Sequence, residues 1–155
     1  MSFINYDFKK ITTFIFDVDG VLTDGGVLAL ESGEQARIFY IRDGYGIEKA
    51  LEAGYKVAII SGGNQVGVRK RLEFLKIQYI YLGVATTRKL EVFEKFVQEN
   101  GLIPEEILYM GDDMPDFQVM KTGVLAACPE DASADIQAIA HYISPFKGGR
   151  GPCGI

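Results

Sequence analysis

Asp17 and Asp19 stand one residue apart at the end of an apolar run, Phe14-Ile15-Phe16, and Gly20 follows at once. Alternate residues of an extended segment point the same way, so the two carboxylates can converge just beyond a strand end. Two acids held together in apolar surroundings repel each other unless a shared proton or a cation relieves them. A hard divalent ion such as Mg²⁺ prefers carboxylate oxygens. Read alone, the segment is also compatible with a polar turn closing a core strand. Further along come Ser61-Gly62-Gly63, then Lys89, then Gly111-Asp112-Asp113-Met114-Pro115-Asp116. The first offers a hydroxyl, backbone donors and a helix N-terminus to an anion. Singly, each feature has an ordinary explanation as a helix cap, a solvated lysine or acidic charge at a helix start. Together they suit phosphoryl transfer. A metal neutralises phosphate oxygens and the acids, and Lys89 and Ser61 meet the remaining charge. One carboxylate then attacks phosphorus in line, and its neighbour donates to the departing alcohol and later activates water.

Elements able to bring these residues to one place are legible in the pattern. Short apolar runs alternate with helical periodicity, the signature of an open, mostly parallel α/β sheet. Strands are expected over 11–16, 55–60, 79–82, 107–110 and 124–127, and helices near 45–53, 65–75, 88–100, 115–121 and 132–139. In such a sheet the carboxyl ends of the strands share one edge, where ligands bind. Residues 26–41 interrupt the alternation and read as a hairpin of strands 27–30 and 37–41. Ile38-Phe39-Tyr40-Ile41 is apolar on both faces, so this hairpin is buried either against its own domain or by a second subunit.

Bulk properties exclude several classes of function. The 155 residues suit one domain, 1–155, and 48% apolar with 24% charged residues describe an ordinary globule. A net charge of −5 provides no basic stripe for nucleic acid. No apolar stretch approaches a membrane span, and the N-terminus lacks a signal-peptide pattern, so a cytoplasmic location is expected. Cys128 and Cys153 are too few for a disulfide framework. Cys128 reads as a core residue, Cys153 as an exposed thiol, and His141 as a loop residue without a catalytic role.

The order D-x-D-G, Ser-Gly, Lys and G-D-D-x-x-D resembles the haloacid dehalogenase superfamily of aspartate-nucleophile phosphatases and covers nearly the whole chain. A response-regulator receiver is excluded, because there the acid pair and the phosphoacceptor fall on different strands and the lysine comes last. Asp17 through Gly25, Ile41-Arg42-Asp43-Gly44-Tyr45-Gly46-Ile47 and Lys147-Gly148-Gly149-Arg150-Gly151 are similar to the capless, typically tetrameric subfamily of 3-deoxy-D-manno-octulosonate 8-phosphate phosphatases. Nonulosonate 9-phosphate phosphatases and the C-terminal, non-catalytic module of sialate cytidylyltransferases are related. The resemblance implies a Rossmann-like three-layer sandwich without a cap, Mg²⁺ as cofactor, a small sugar-acid phosphate as substrate and a homotetramer. It implies that Asp17 is the nucleophile and that Asp19 is the general acid/base, offering its backbone carbonyl to the metal. Asp112 would be a direct metal ligand, Asp113 would brace the metal's waters, and Ser61, Gly62 and Lys89 would hold the phosphoryl group. Arg42, Asp43, Arg71 and, from a flexible tail over 145–155, Arg150 are expected to bind substrate. Gly63 departs from the charged residue that relatives often carry there.

Overall fold

The computed structural model describes residues 6–153; Met1–Asn5, most of the segment read for a signal peptide, and the final two residues lie outside them. The described residues form a six-stranded sheet of β1 (Thr13–Phe16), β4 (Lys56–Ile60), β5 (Tyr79–Tyr81), β6 (Ile107–Met110), β7 (Leu125–Cys128) and β8 (Tyr142–Ile143). Its order is β5-β4-β1-β6-β7-β8, and every neighbouring pair is parallel. Alternation along β1 explains the layers. Phe14 and Phe16 face a core shared with α1 (Ile41–Glu52) and α2 (Val66–Phe74), where Ile47, Val68 and Leu72 pack. Ile15 faces the opposite core with Phe93 and Phe96 of α3 (Lys89–Glu99), Val119 of α4 (Phe117–Met120) and Ile136 of α5 (Ala134–Ile139). A parallel sheet buried on both faces needs such continuously apolar strands. The three-layer α/β sandwich expected from the sequence is the one observed. Only the turn Val18–Leu22 and the hairpin lie between β1 and α1, and only α3 with a short turn between Lys89 and β6, which leaves no room for a cap.

Register sets the site. Phe16 pairs with Ile59 of β4 and Met110 of β6, so three strands end level and release Asp17, Ser61 and Asp112 at one edge. The edge strand β8 is not evident in the sequence: its residues run in register with only two of β7. His141 fixes it, donating its backbone N–H to Ala126 O at 2.8 Å and accepting Ala126 N–H at Nδ1 at 3.0 Å.

The hairpin differs from expectation. Its strands are β2 (Leu28–Ala29) and β3 (Gln35–Ala36), and Ile41 already begins α1. Strong β propensity over Ile38–Ile41 yields to tertiary contacts that require the next residues to be helical. Asp43 is buried beneath the C-terminal segment, accepting from Gly151 N–H at 3.3 Å and Cys153 N–H at 3.1 Å. Gly44 lies so close to Arg71 of α2 that a Cβ there would sit 2.6 Å from its guanidinium. The apolar run divides between the two expectations: Phe39 packs against the core of its own domain, whereas Ile38 is 86% and Ile41 79% exposed.

As far as Cys153 the tail, expected to be flexible, is docked on its own domain. Gly149 N–H donates to Val21 O and Gly148 N–H to the Asp131 carboxylate, both at 2.9 Å. A Cβ on Gly148 would collide with the Gly20 carbonyl, so this close approach needs glycine. Cys153 is buried rather than exposed, its Sγ 3.9 Å from Met110 Sδ. Cys128 is in the core, as expected.

Candidate active site

After Phe16 the chain makes a wide turn over Val18–Leu22, closed by Thr23 N–H on Val18 O at 3.1 Å. Gly20 takes a φ of +82°, and a Cβ there would strike the Asp112 carboxylate. Only glycine therefore lets the first acidic loop pass this close to the second. Asp17 is buried, with Oδ1 accepting from Val18 N–H at 2.7 Å and Oδ2 lying 3.0 Å from Lys89 Nζ.

Lys89 opens α3 and is 3% exposed, so it is no surface lysine. Its second partner is Asp116 Oδ1 at 2.8 Å. Asp116, fully buried, also accepts the Tyr109 hydroxyl at 2.6 Å and Asp112 N–H at 3.3 Å. It therefore holds the lysine and the second acidic loop together. Carboxylate oxygens of Asp17, Asp112 and Asp116 all lie within 4.8 Å of one another.

Three acids facing one ammonium leave unbalanced negative charge. Burial, with the Asp116 carboxylate adding to it, pushes Asp17 up to about 8 despite Lys89. Burial, Asp116 and Asp113 push Asp112 up to about 7. Burial works against the Lys89 ammonium, but Asp17 and Asp116 outweigh it and raise its pKa. Burial first, then Asp116, raises the Tyr109 phenol, which stays a donor. A hard divalent cation removes this excess charge, and the oxygen-only donor set fits Mg²⁺. Asp17 and Asp112 are the carboxylates with capacity for it, since Asp116 is engaged by Lys89, Tyr109 and the Asp112 amide.

The cluster lies in a cleft of about 540 Å³ that Asp17, Asp19, Ser61, Gly62, Lys89, Asp112 and Asp113 all line. Asp19 and Asp113 reach the cleft but not the carboxylate cluster. Asp19 is bound by Arg37, whose Nε is 2.6 Å from Oδ1 and Nη2 3.2 Å from Oδ2. Asp113 is exposed, its Oδ1 accepting from Met114 N–H at 2.8 Å. Four expected substrate-binding residues do not line this cleft. Asp43 is committed to the tail backbone and Arg71 packs over Gly44. Arg42 and Arg150 line a separate aromatic groove with Tyr40, Tyr45 and Phe146. Asp116 and Tyr109, which hold the cluster, and Arg37 and Gln65, which line the cleft, are the side chains of this region that sequence reasoning missed. Asp116 was legible as the last acid of G-D-D-x-x-D; Arg37 only as the partner of Gln35 on one face of an extended segment.

Residues 44–125 match a family model described as haloacid dehalogenase-like hydrolase. The 3-deoxy-D-manno-octulosonate 8-phosphate phosphatase KdsC of Escherichia coli K12 is 37% identical over 143 residues, 92% of this chain and 75% of the relative. The crystal structure of the Yersinia pestis 3-deoxy-D-manno-octulosonate 8-phosphate phosphatase superposes with a TM-score of 0.91 at 34% identity, covering 95% of this chain and 78% of that one. The Moraxella catarrhalis phosphatase of the same name, solved with a magnesium ion, a phosphate ion and a KDO molecule, gives a TM-score of 0.90 at 28% identity, over 95% and 83% of the two chains. With the acids, serine and lysine gathered at one sheet edge, these likenesses show that the chain belongs to the haloacid dehalogenase-like hydrolases, as a capless phosphatase of the kind to which the 3-deoxy-D-manno-octulosonate 8-phosphate phosphatases belong.

Proposed function

We propose that this phosphatase is Mg²⁺-dependent and hydrolyses a sugar-acid phosphate, 3-deoxy-D-manno-octulosonate 8-phosphate, through a phosphoaspartyl intermediate. The observation that carries the chemistry is Asp17, buried and oriented by Val18 N–H, with Lys89 3.0 Å from its second oxygen. The substrate follows the KdsC relatives. Asp17 attacks phosphorus while Lys89, Ser61 and the Gly62 backbone hold the phosphoryl oxygens. Asp19, both of whose oxygens accept from Arg37 in the resting site, takes up a proton on one oxygen released from Arg37 as substrate binds and gives it to the departing sugar oxygen. It then takes one from the water that opens the phosphoaspartate, so the products are the free sugar acid and inorganic phosphate. Asp17, Asp112 and the Asp19 backbone carbonyl would hold Mg²⁺, with Asp113 at the rim left to its waters. When bound, the ion neutralises phosphoryl oxygens and the carboxylates around it.

The test is a hydrolysis panel of phosphorylated eight- and nine-carbon keto acids against hexose phosphates. The eight-carbon acid should lead in kcat/KM; comparable rates on all would sink the sugar-acid assignment, and a lead for the nine-carbon acids would make this a nonulosonate 9-phosphate phosphatase. A non-catalytic, tetramerising module is disfavoured, because crowding three mutually repelling carboxylates, two of them buried, serves no scaffold.

The proposed assembly is a cytoplasmic homotetramer. Val27, Leu28, Leu30, Ile38 and Ile41 expose apolar side chains along the hairpin and the start of α1. Copies packed around these hairpins would bury them. Sedimentation at micromolar concentration should give a tetramer, and Ile38→Lys should dissociate it; a wild-type monomer would refute the assembly.

A further inference from the structure

Arg37 is the residue that neither the phosphoryl chemistry nor the fold accounts for. It follows β3 in the hairpin, two residues from Gln35, and both line the catalytic cleft. Its side chain is 6% exposed. Nε and Nη2 hold the two oxygens of Asp19, but Nη1 is buried without a hydrogen-bond partner among the described residues. A buried guanidinium nitrogen left unpaired is costly, because its hydration has been lost and nothing replaces it. The same corner holds a second unpaired polar atom, Gln65 Oε1. Gly63 leaves the room for both: a Cβ there would lie 2.9 Å from Gln65 Oε1 and 3.6 Å from Arg37 Nη2.

The position of Arg37 says what it receives. Lys89 serves Asp17 and Asp116 at the phosphoryl pole, whereas Arg37 contacts Asp19, the group that must face the departing oxygen. An anion meeting Nη1 therefore belongs to the leaving alcohol rather than to the transferred phosphoryl group. Arg37 and Lys89 are the cations among the described residues lining the cleft, so the leaving-group side has one positive charge. A guanidinium that keeps donors in a fixed fork suits a carboxylate.

We infer that Arg37 determines specificity: with two nitrogens it positions Asp19, and with the third it binds the carboxylate of the sugar acid, Gln65 accepting from a nearby substrate hydroxyl. The inference rests on the sugar-acid reading and assigns that substrate's recognition to a residue of the same chain.

The experiment compares 3-deoxy-D-manno-octulosonate 8-phosphate with its C1 methyl ester, which keeps the carbon chain and phosphate but removes the negative charge. Wild type should prefer the acid in kcat/KM. Arg37→Gln should shrink that preference by about 10- to 100-fold, the scale of one lost hydrogen bond to a charged group, mainly through KM for the acid. Any loss from freeing Asp19 is common to both compounds and cancels in the ratio. If Arg37→Gln does not fold, Arg37→Met gives the same reading, since it keeps the apolar stem and removes both the charge and the donors. Equal losses on acid and ester, or an unchanged preference, would overturn the role of Arg37 and leave the substrate assignment standing. A wild-type enzyme indifferent to the carboxylate would overturn both.

Discussion

Asp17→Asn is expected to lower kcat by about 10⁴-fold or more while leaving the protein folded. The amide is nearly isosteric but is a very poor nucleophile toward phosphorus. Uncatalysed hydrolysis of a phosphate monoester is so slow that enzymes gain up to ~10²¹-fold, so a loss of this size still leaves the reaction measurable only as a trace. Stability should change little, because two effects oppose each other. The substitution removes one partner of Lys89, but the ammonium keeps Asp116 at 2.8 Å and is not orphaned. It also removes one of three carboxylates crowded within 4.8 Å. The Val18 N–H still finds an oxygen at the position where Asp17 Oδ1 accepted it at 2.7 Å. Single-turnover kinetics with a good leaving group would check the result. More than about a tenth of the wild-type kcat in the variant would remove the covalent mechanism.

The sequence made the catalytic edge legible for a physical reason: each of its groups sits immediately after a buried strand, where the polar pattern breaks. Asp17, Ser61 and Asp112 follow runs so apolar that their strands could only be core, and the register of β1 with β4 and β6 then brings them level. Lys89 was legible by its order between the motifs, although its burial was not, because that depends on Asp17 and Asp116 meeting it from two other segments. What failed to show was set by long-range packing. Asp43 looks like a ligand beside Arg42, yet its carboxylate is bound by backbone N–H groups of Gly151 and Cys153, more than one hundred residues away. Arg37 sits in a hairpin with two-residue strands, and nothing local says that its side chain turns onto Asp19. The Ile38–Ile41 run has the composition of a strand, but the packing of Gly44 under Arg71 and the burial of Asp43 pull its last residue into α1.

Removing the divalent ion should abolish activity and, in the same protein, reverse the effect of pH on stability. Asp17 and Asp112 rise from an ordinary value of 3.8 to about 8 and about 7 in the metal-free fold. Groups whose folded pKa is raised bind more protons in the folded than in the unfolded state between those values. The folded state is therefore favoured at the acid end of the window, and its stability falls as pH rises from about 4 to about 8. Mg²⁺ competes with those protons, so its binding strengthens over the same interval. Thermal unfolding in excess chelator should accordingly give a lower Tm at pH 8 than at pH 6. Addition of millimolar Mg²⁺ should raise Tm more at pH 8 than at pH 6. Asp112→Ala should lose both the Mg²⁺ response and turnover, since it removes a ligand that no other free carboxylate of the cluster can replace. Calcium should bind yet inhibit, because its larger and more flexible coordination sphere does not keep Asp17 aligned for in-line attack. Full activity in excess chelator would contradict the metal assignment. A metal-free Tm that rises between pH 6 and pH 8 would show that the carboxylates are relieved by something other than shared protons.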